Sequence, residues 1–172
     1  LDDPWGPLAK LLVLTGQRLG EVEAMRFEDL RDLDGDDPTW RIPAEVAKNG
    51  MEHSVPLPPQ AVDVLRGQIE ARRRLIEQTD DLDRRRTIEC VPFLFWGGRV
   101  GRGGEITKLS GRSRFRQRWR EEVEKARRKA ATDAGRDPAE AKSMPDWRPH
   151  DLRRTCVSGM ARLGVPIHVF EI

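Results

Sequence analysis

The sequence has no tyrosine, and only two cysteines and three histidines among its 172 residues. Without a phenol, no step that needs a tyrosine hydroxyl can be carried by these residues alone. Cys90 and Cys156 each lack a nearby Cys or His at metal-ligand spacing, which argues against both a disulfide framework and a zinc site. Such usage suits a reducing, cytoplasmic interior. Long apolar runs are missing too. Stretches such as Leu11–Leu14 fall far below the roughly 20 residues of a membrane span, and no signal peptide is visible at Leu1. The chain also lacks an initiator methionine, which points to a fragment, and no internal repeat is present.

Net charge is close to balance at +2, but the charges are segregated. Residues 1–37 carry ten acids against four bases, a net of −6, whereas Gly97–Ala130 carries twelve bases against four acids, a net of +8. A basic segment of that density fits a polyanion, or simply a solvated arginine-rich helix. The length suits one compact domain.

Periodicity predicts a mostly helical chain with a little sheet. Pro4–Leu14 reads as a helix with Leu8, Leu11, Leu12 and Val13 as its apolar residues, stopped by Gly16. Gly20–Leu30 reads as a second, with Val22, Met25 and Leu30 inward. The turn from Asp32, "DLDGDDP", has its glycine misplaced for a calcium loop and Pro43 where a bidentate glutamate is needed, so no metal is expected there. Thr39–Ile42 and Glu52–Leu57 read as strands. Asn49 and Gly50 are then the central pair of a tight hairpin turn, with Lys48 beside the tip.

An amphipathic helix follows from Pro58 to about Glu77, inward at Val62, Leu65 and Ile69, then a charged loop at Thr79–Arg86. "FLFW" at 93–96 reads as a short buried strand, and the glycines of Gly97–Gly104 as a connector. Phe115, Trp119, Val123 and Ala126 recur at helical spacing, so Arg112, Arg114, Arg116 and Arg118 flank the stripe of a basic helix over Ser110–Lys129 and are its candidate DNA contacts. Ala131–Trp147 reads as a polar connector. Asp151–Leu163 is a last helix, with Leu152, Cys156, Met160 and Leu163 inward. The expected fold is α+β: a mainly helical single domain with a small antiparallel sheet built from the Thr39–Leu57 hairpin and the strand near Phe93. The helices beginning near Pro4, Gly20 and Asp151 should pack together, with the basic helix bordering the face they form.

Four side chains carry candidate chemistry. Arg18 lies between two glycines at a helix-to-helix turn, Lys48 at the hairpin, and His150 and Arg153 one turn apart on the last helix. Taken singly they read as a surface arginine, a solubilising lysine and a local helix-capping pair. Taken together, two guanidinium forks, one mobile ammonium and one imidazole form a metal-free kit for phosphoryl transfer. No cofactor is called for.

The stretches "TGQRLGEVEAMRFEDL", "AKNGMEHSVPL" and "RPHDLRRTCVSGMARLGV" resemble, in order and spacing, the motifs of the tyrosine recombinase catalytic domain of phage-type integrases, over about Pro4–Ile172. The resemblance implies cleavage and rejoining of double-stranded DNA through a covalent 3′-phosphotyrosine with release of a 5′-hydroxyl. By motif match Arg18 and Arg153 clamp the scissile phosphate, Lys48 protonates the leaving oxygen, and His150 shares acid–base work with the nucleophile. Glu21 supplies a supporting hydrogen bond. Met25 and Phe27 stand where the family more often has Leu and Trp.

The family's second histidine and its tyrosine would follow later than Ile172, and His168 comes too early for that role. The expectation is therefore a partial catalytic domain over 1–172, without the N-terminal DNA-gripping domain and the C-terminal tyrosine segment, and with weakened tetramer formation on DNA. The alternatives are a non-catalytic DNA-binding protein and a degenerate prophage remnant.

Overall fold

The structure, a computed structural model, describes residues 4–98, 100, 106, 109, 112–140, 143 and 145–166. The chain forms two compact units, residues 110–149 and the remainder.

In the larger unit, helix α1 (Trp5–Thr15) buries Leu8, Leu11 and Leu12 and leaves Val13 at the surface. It ends at Gly16, whose left-handed backbone (φ 66°) lets its N–H donate to the Leu12 carbonyl at 3.1 Å. Helix α2 (Leu19–Glu23) is far shorter than the predicted Gly20–Leu30. The chain leaves it to form a 3₁₀ turn at Phe27–Asp29 and strand β1 (Leu30–Arg31). Pairing competes with helix propensity here: the Leu94 N–H donates to the Met25 carbonyl at 2.8 Å, and the Phe27 N–H donates to the Pro92 carbonyl at 3.2 Å. Of the three residues expected inward, Val22 and Met25 are fully buried and Leu30 is half-buried on β1.

Strands β2 (Thr39–Ile42) and β3 (His53–Pro56) pair antiparallel, Trp40 opposite Val55 and Ile42 opposite His53, and β1 completes a three-stranded sheet in the order β1-β2-β3. The third strand is therefore not the expected one near Phe93. The 93–96 stretch contributes a single bridge, Phe93 to Arg26, and buries Leu94, Phe95 and Trp96 as core rather than as strand.

Nor is the β2–β3 connection a two-residue turn. Ile42 pairs with His53, so residues 43–52 form the loop. Gly50 has a positive φ of 70° and Asn49 does not, so the primed turn, which needs both, does not form. Turn bonds from Val46 and Ala47 to the Pro43 carbonyl and from Gly50 to the Ala47 carbonyl organise the loop instead.

Helix α3 (Pro59–Glu77) packs on α1 and buries Val62 and Leu65, with Ile69 half-buried. The charged stretch expected to be a loop largely becomes helix α4 (Leu82–Cys90), because Asp81 caps it by accepting from the Arg84 N–H at 2.7 Å. Arg72 on α3 caps the other end. Its guanidinium donates to the carbonyls of Ile88 and Val91 at 2.7 Å and Glu89 at 3.0 Å, and lies 4.3 Å from the centre of the Phe27 ring. Burial pushes the Arg72 pKa below the usual arginine value, with Cys90 and Glu89 opposing.

Helix α6 (Pro149–Arg162) has no fully buried residue. Leu152, Cys156 and Met160 are half-buried, and Leu163, expected inward, is 84% exposed.

The smaller unit is helix α5 (Arg112–Asp133) with its returning chain. Phe115 and Trp119, on successive turns, meet Trp147 edge-on with ring centres 6.1 Å and 4.8 Å away. Arg116 and Arg120 pair with Asp146 at 3.4 Å and 3.1 Å. The side chains of Arg112 and Arg114, like the expectations for Gly97–Gly104 and His168, fall wholly or mostly outside the described residues.

Arg72→Ala removes three charge-assisted bonds and a ring contact together. We expect it to lower the free energy of unfolding by about 3 kcal/mol, read from the midpoint of urea denaturation, and Arg72→Lys to recover little because a point charge cannot reach all three carbonyls.

Candidate functional site

Glu21 is the centre of the candidate site. It sits at the third position of α2, 2% exposed, where an acid favours the helix N-terminus. Arg18 is the residue that caps α2, and its backbone N–H donates to Glu21 Oε2 at 2.8 Å. The same arginine folds back so that Nη1 donates to Glu21 Oε1 at 3.2 Å. A third donor comes from the β2–β3 loop: the Lys48 backbone N–H reaches Glu21 Oε1 at 3.4 Å. One buried carboxylate thus orders the Arg18 side chain and ties the loop that carries Lys48 to α2.

The far end of that loop has its own anchor. Arg41 on β2 donates to Asp29 Oδ1 at 3.0 Å and to Glu52 Oε2 at 3.3 Å, and the Asp29 bond raises the arginine's pKa above its ordinary value. Lys48 itself projects into solvent.

Arg153 enters from α6. Its guanidinium is half-buried, and burial first, then the charge of Arg18, push its pKa below the usual arginine value, while Glu21 pulls it back. It stays charged at any ordinary pH. Arg18 and Arg153, distant in sequence, therefore share one electrostatic neighbourhood around Glu21. His150 opens α6 one turn before Arg153 and is exposed. Helical geometry puts the two on one side of the first turn.

The packing that delivers Arg153 is equally local. An added Cβ on Gly16 would lie 3.1 Å from Cys156 Sγ and 3.6 Å from Met160 Cε, so α6 seats directly against the backbone at the end of α1. Burial raises the Cys156 pKa, with Arg153 opposing.

Two guanidiniums beside one buried carboxylate, with the Lys48 backbone held against it, place fixed hydrogen-bond donors together on the larger unit. Fixed donors of that kind stabilise an anion without having to reorganise. Of the residues named from the sequence, Arg18, Glu21 and Arg153 lie in one neighbourhood, Lys48 joins it through its backbone N–H, and His150 is exposed one turn before Arg153. Sequence reading missed Gly16 and Cys156, whose contact has no motif signature. No cluster of metal ligands occurs among the described residues.

The sequence profile of the Phage integrase family matches residues 7–171. The chain belongs to that family. Among solved structures, the family member is similar to the Tn1549 transposon integrase in complex with transposon right end DNA, with a TM-score of 0.61 at 15% identity over 96% of this chain. The same integrase in complex with circular intermediate DNA gives 0.58 at 13% over 98%. The XerA recombinase gives 0.53 at 18% identity over 99% of this chain. Identities this low establish a shared fold. The chain spans about half the length of these structures: 48% of each integrase chain and 52% of the recombinase. No curated protein matches it. The integrase-family chain is mostly helical with a small three-stranded antiparallel sheet, and no helix among its described residues is long and apolar enough to cross a membrane.

Breaking the central carboxylate should be costly, because it strands a partly buried arginine. Glu21→Ala is expected to lower unfolding free energy by about 3 kcal/mol in urea titrations, and Glu21→Gln, which keeps an acceptor but loses the charge, by about half as much.

Proposed function

We propose that this chain is the greater part of the catalytic domain of a tyrosine-type site-specific recombinase, and that the Arg18–Arg153 neighbourhood holds one phosphate of double-stranded DNA. What supports this reading is that Arg18 bonds the buried Glu21 at 3.2 Å while Arg153, on the helix seated against Gly16, feels the charges of both. Each guanidinium offers paired N–H donors matched to the non-bridging oxygens of a phosphodiester. Charge that builds on those oxygens during displacement meets two fixed cations, an arrangement worth about 10²-fold or more in rate.

Lys48, on its anchored loop, protonates the leaving 5′-oxygen, and His150 exchanges a proton with the attacking hydroxyl. The attacking group is a tyrosine that forms a 3′-phosphotyrosine. Since the sequence contains none, these 172 residues bind and activate the phosphate and the nucleophile is supplied from elsewhere. Neither Cys156, half-buried with a raised pKa, nor Ser158 stands in for it.

Arg112, Arg114, Arg116 and Arg118 of α5 track the DNA backbone, Arg116 while also pairing with Asp146. Self-association on DNA into a tetramer, a separate N-terminal DNA-gripping domain in the parent protein, and a cytoplasmic location consistent with two free cysteines complete the reading.

The test is binding of a short duplex, followed by fluorescence anisotropy. Affinity should fall steeply with salt, and Arg153→Ala should weaken it by roughly tenfold and flatten the salt slope by about one. On a nicked suicide duplex the 172 residues should form no covalent adduct. The full gene product should form one, which Arg153→Ala reduces by about 10²-fold or more. An adduct formed by these 172 residues alone, or none by the full product, overturns the assignment.

A further inference from the structure

Gly16 meets two separate demands. It ends α1 with a left-handed backbone, φ 66° and ψ 13°, a conformation that asparagine also tolerates at modest cost. The second demand is steric. The place where a Cβ would project is occupied by α6: Cys156 Sγ would be at 3.1 Å, and Cys156 Cβ and Met160 Cε at 3.6 Å. The left-handed backbone strains any other side chain there, and the close approach of the helix adds a separate constraint.

The location of this contact gives it consequence. On one side it lies two residues before Arg18, on the short link Gly16–Gln17 between α1 and the residue that caps α2. On the other it lies one turn beyond Arg153 on the same helix. A helix moves as a rod, so whatever displaces α6 at Cys156 also displaces the Arg153 backbone. Relieving the 3.1 Å contact requires a shift of some tenths of an ångström. Functional constellations lose performance when held more than about 0.5 Å from their working geometry.

We propose that Gly16 is a positioning residue: its bare Cα sets how closely α6 approaches the end of α1, and so the spacing between the Arg18 and Arg153 guanidiniums. The inference rests on the phosphate-binding reading of those arginines and adds to it the element that gauges their separation. A substitution at Gly16 impairs phosphate binding through α6, beyond any cost it imposes on the turn.

Four versions of the chain separate these effects in duplex-binding anisotropy, with thermal melting measured alongside: Gly16→Ala, Cys156→Ala, the double variant, and Arg153→Ala. Backbone strain is common to Gly16→Ala and the double variant, while the clash with sulfur exists only in the former. Gly16→Ala is expected to bind roughly tenfold more weakly, and the double variant to return to within about threefold of Cys156→Ala, although both Gly16 variants melt below the unsubstituted chain. Rescue of binding without rescue of melting is a result that a purely structural glycine cannot produce.

Wild-type affinity in Gly16→Ala, or a double variant as weak as Gly16→Ala, overturns the positioning role while a weakened Arg153→Ala leaves the phosphate site standing. Undiminished binding by Arg153→Ala removes both. If Gly16→Ala does not fold, Cys156→Leu presses on the same gap from the helix side and should also weaken binding, with Cys156→Ser as the near-isosteric control. Wild-type affinity in Cys156→Leu counts against the role in the same way.

Discussion

A carboxylate removed from water among cations is the constraint around which the larger unit is arranged. Glu21 is 2% exposed, and an isolated charge so placed would be expensive to keep ionised. Its donors come from two elements and all serve the same end. The Arg18 backbone bond starts α2, the Arg18 side chain supplies the countercharge, and the Lys48 N–H brings the β2–β3 loop against them. The pairing contributes little net stability by itself, since desolvation offsets most of the attraction. Its value is geometric, because the arrangement is satisfied in one way only.

The cations outnumber the carboxylate. Burial first, then the charge of Arg18, push the Arg153 pKa down, and Glu21 opposes both. The surroundings are held by packing elsewhere: the bare backbone at Gly16 against Cys156 and Met160, and the Arg41 clamp on Asp29 and Glu52 at the far end of the Lys48 loop. The phosphate-binding residues therefore lie at the ends of rigid elements or on a loop tied at both ends. Lys48 and His150, to which the proposal gives the proton transfers, are the exposed ones. Such a division suits a site in which charge stabilisation must be fixed while proton donors move.

Helix α6 shows the same economy. Its first turn carries His150 and Arg153, its middle leans on α1, and its far end leaves Leu163 open. It buries no residue completely, and the contact at Gly16 is one of the places where it meets α1. The smaller unit is held differently, by the Phe115, Trp119 and Trp147 rings and by the Arg116 and Arg120 pairs to Asp146, so part of its basic charge is already neutralised within the unit.

The motif residues, most of the helical faces and the resemblance to phage-type integrases were legible in the sequence, because they depend on residue type and on spacing within one element, although Leu163, expected inward, is exposed. Leu8, Leu65 and Phe115 are buried as periodicity predicts. What the sequence could not determine was decided wherever two distant segments compete for the same backbone groups or the same space. Residues 25–27 left the predicted helix to bond with 92–94, Asp81 and Arg72 together made a helix of a charged stretch, and the register of β2 on β3 lengthened a two-residue turn into a ten-residue loop. The convergence of Arg18 with Arg153 belongs to the second kind. Local pattern names both arginines, but their shared surroundings arise only when α6 seats on the end of α1, a contact between non-neighbouring segments that no local spacing encodes.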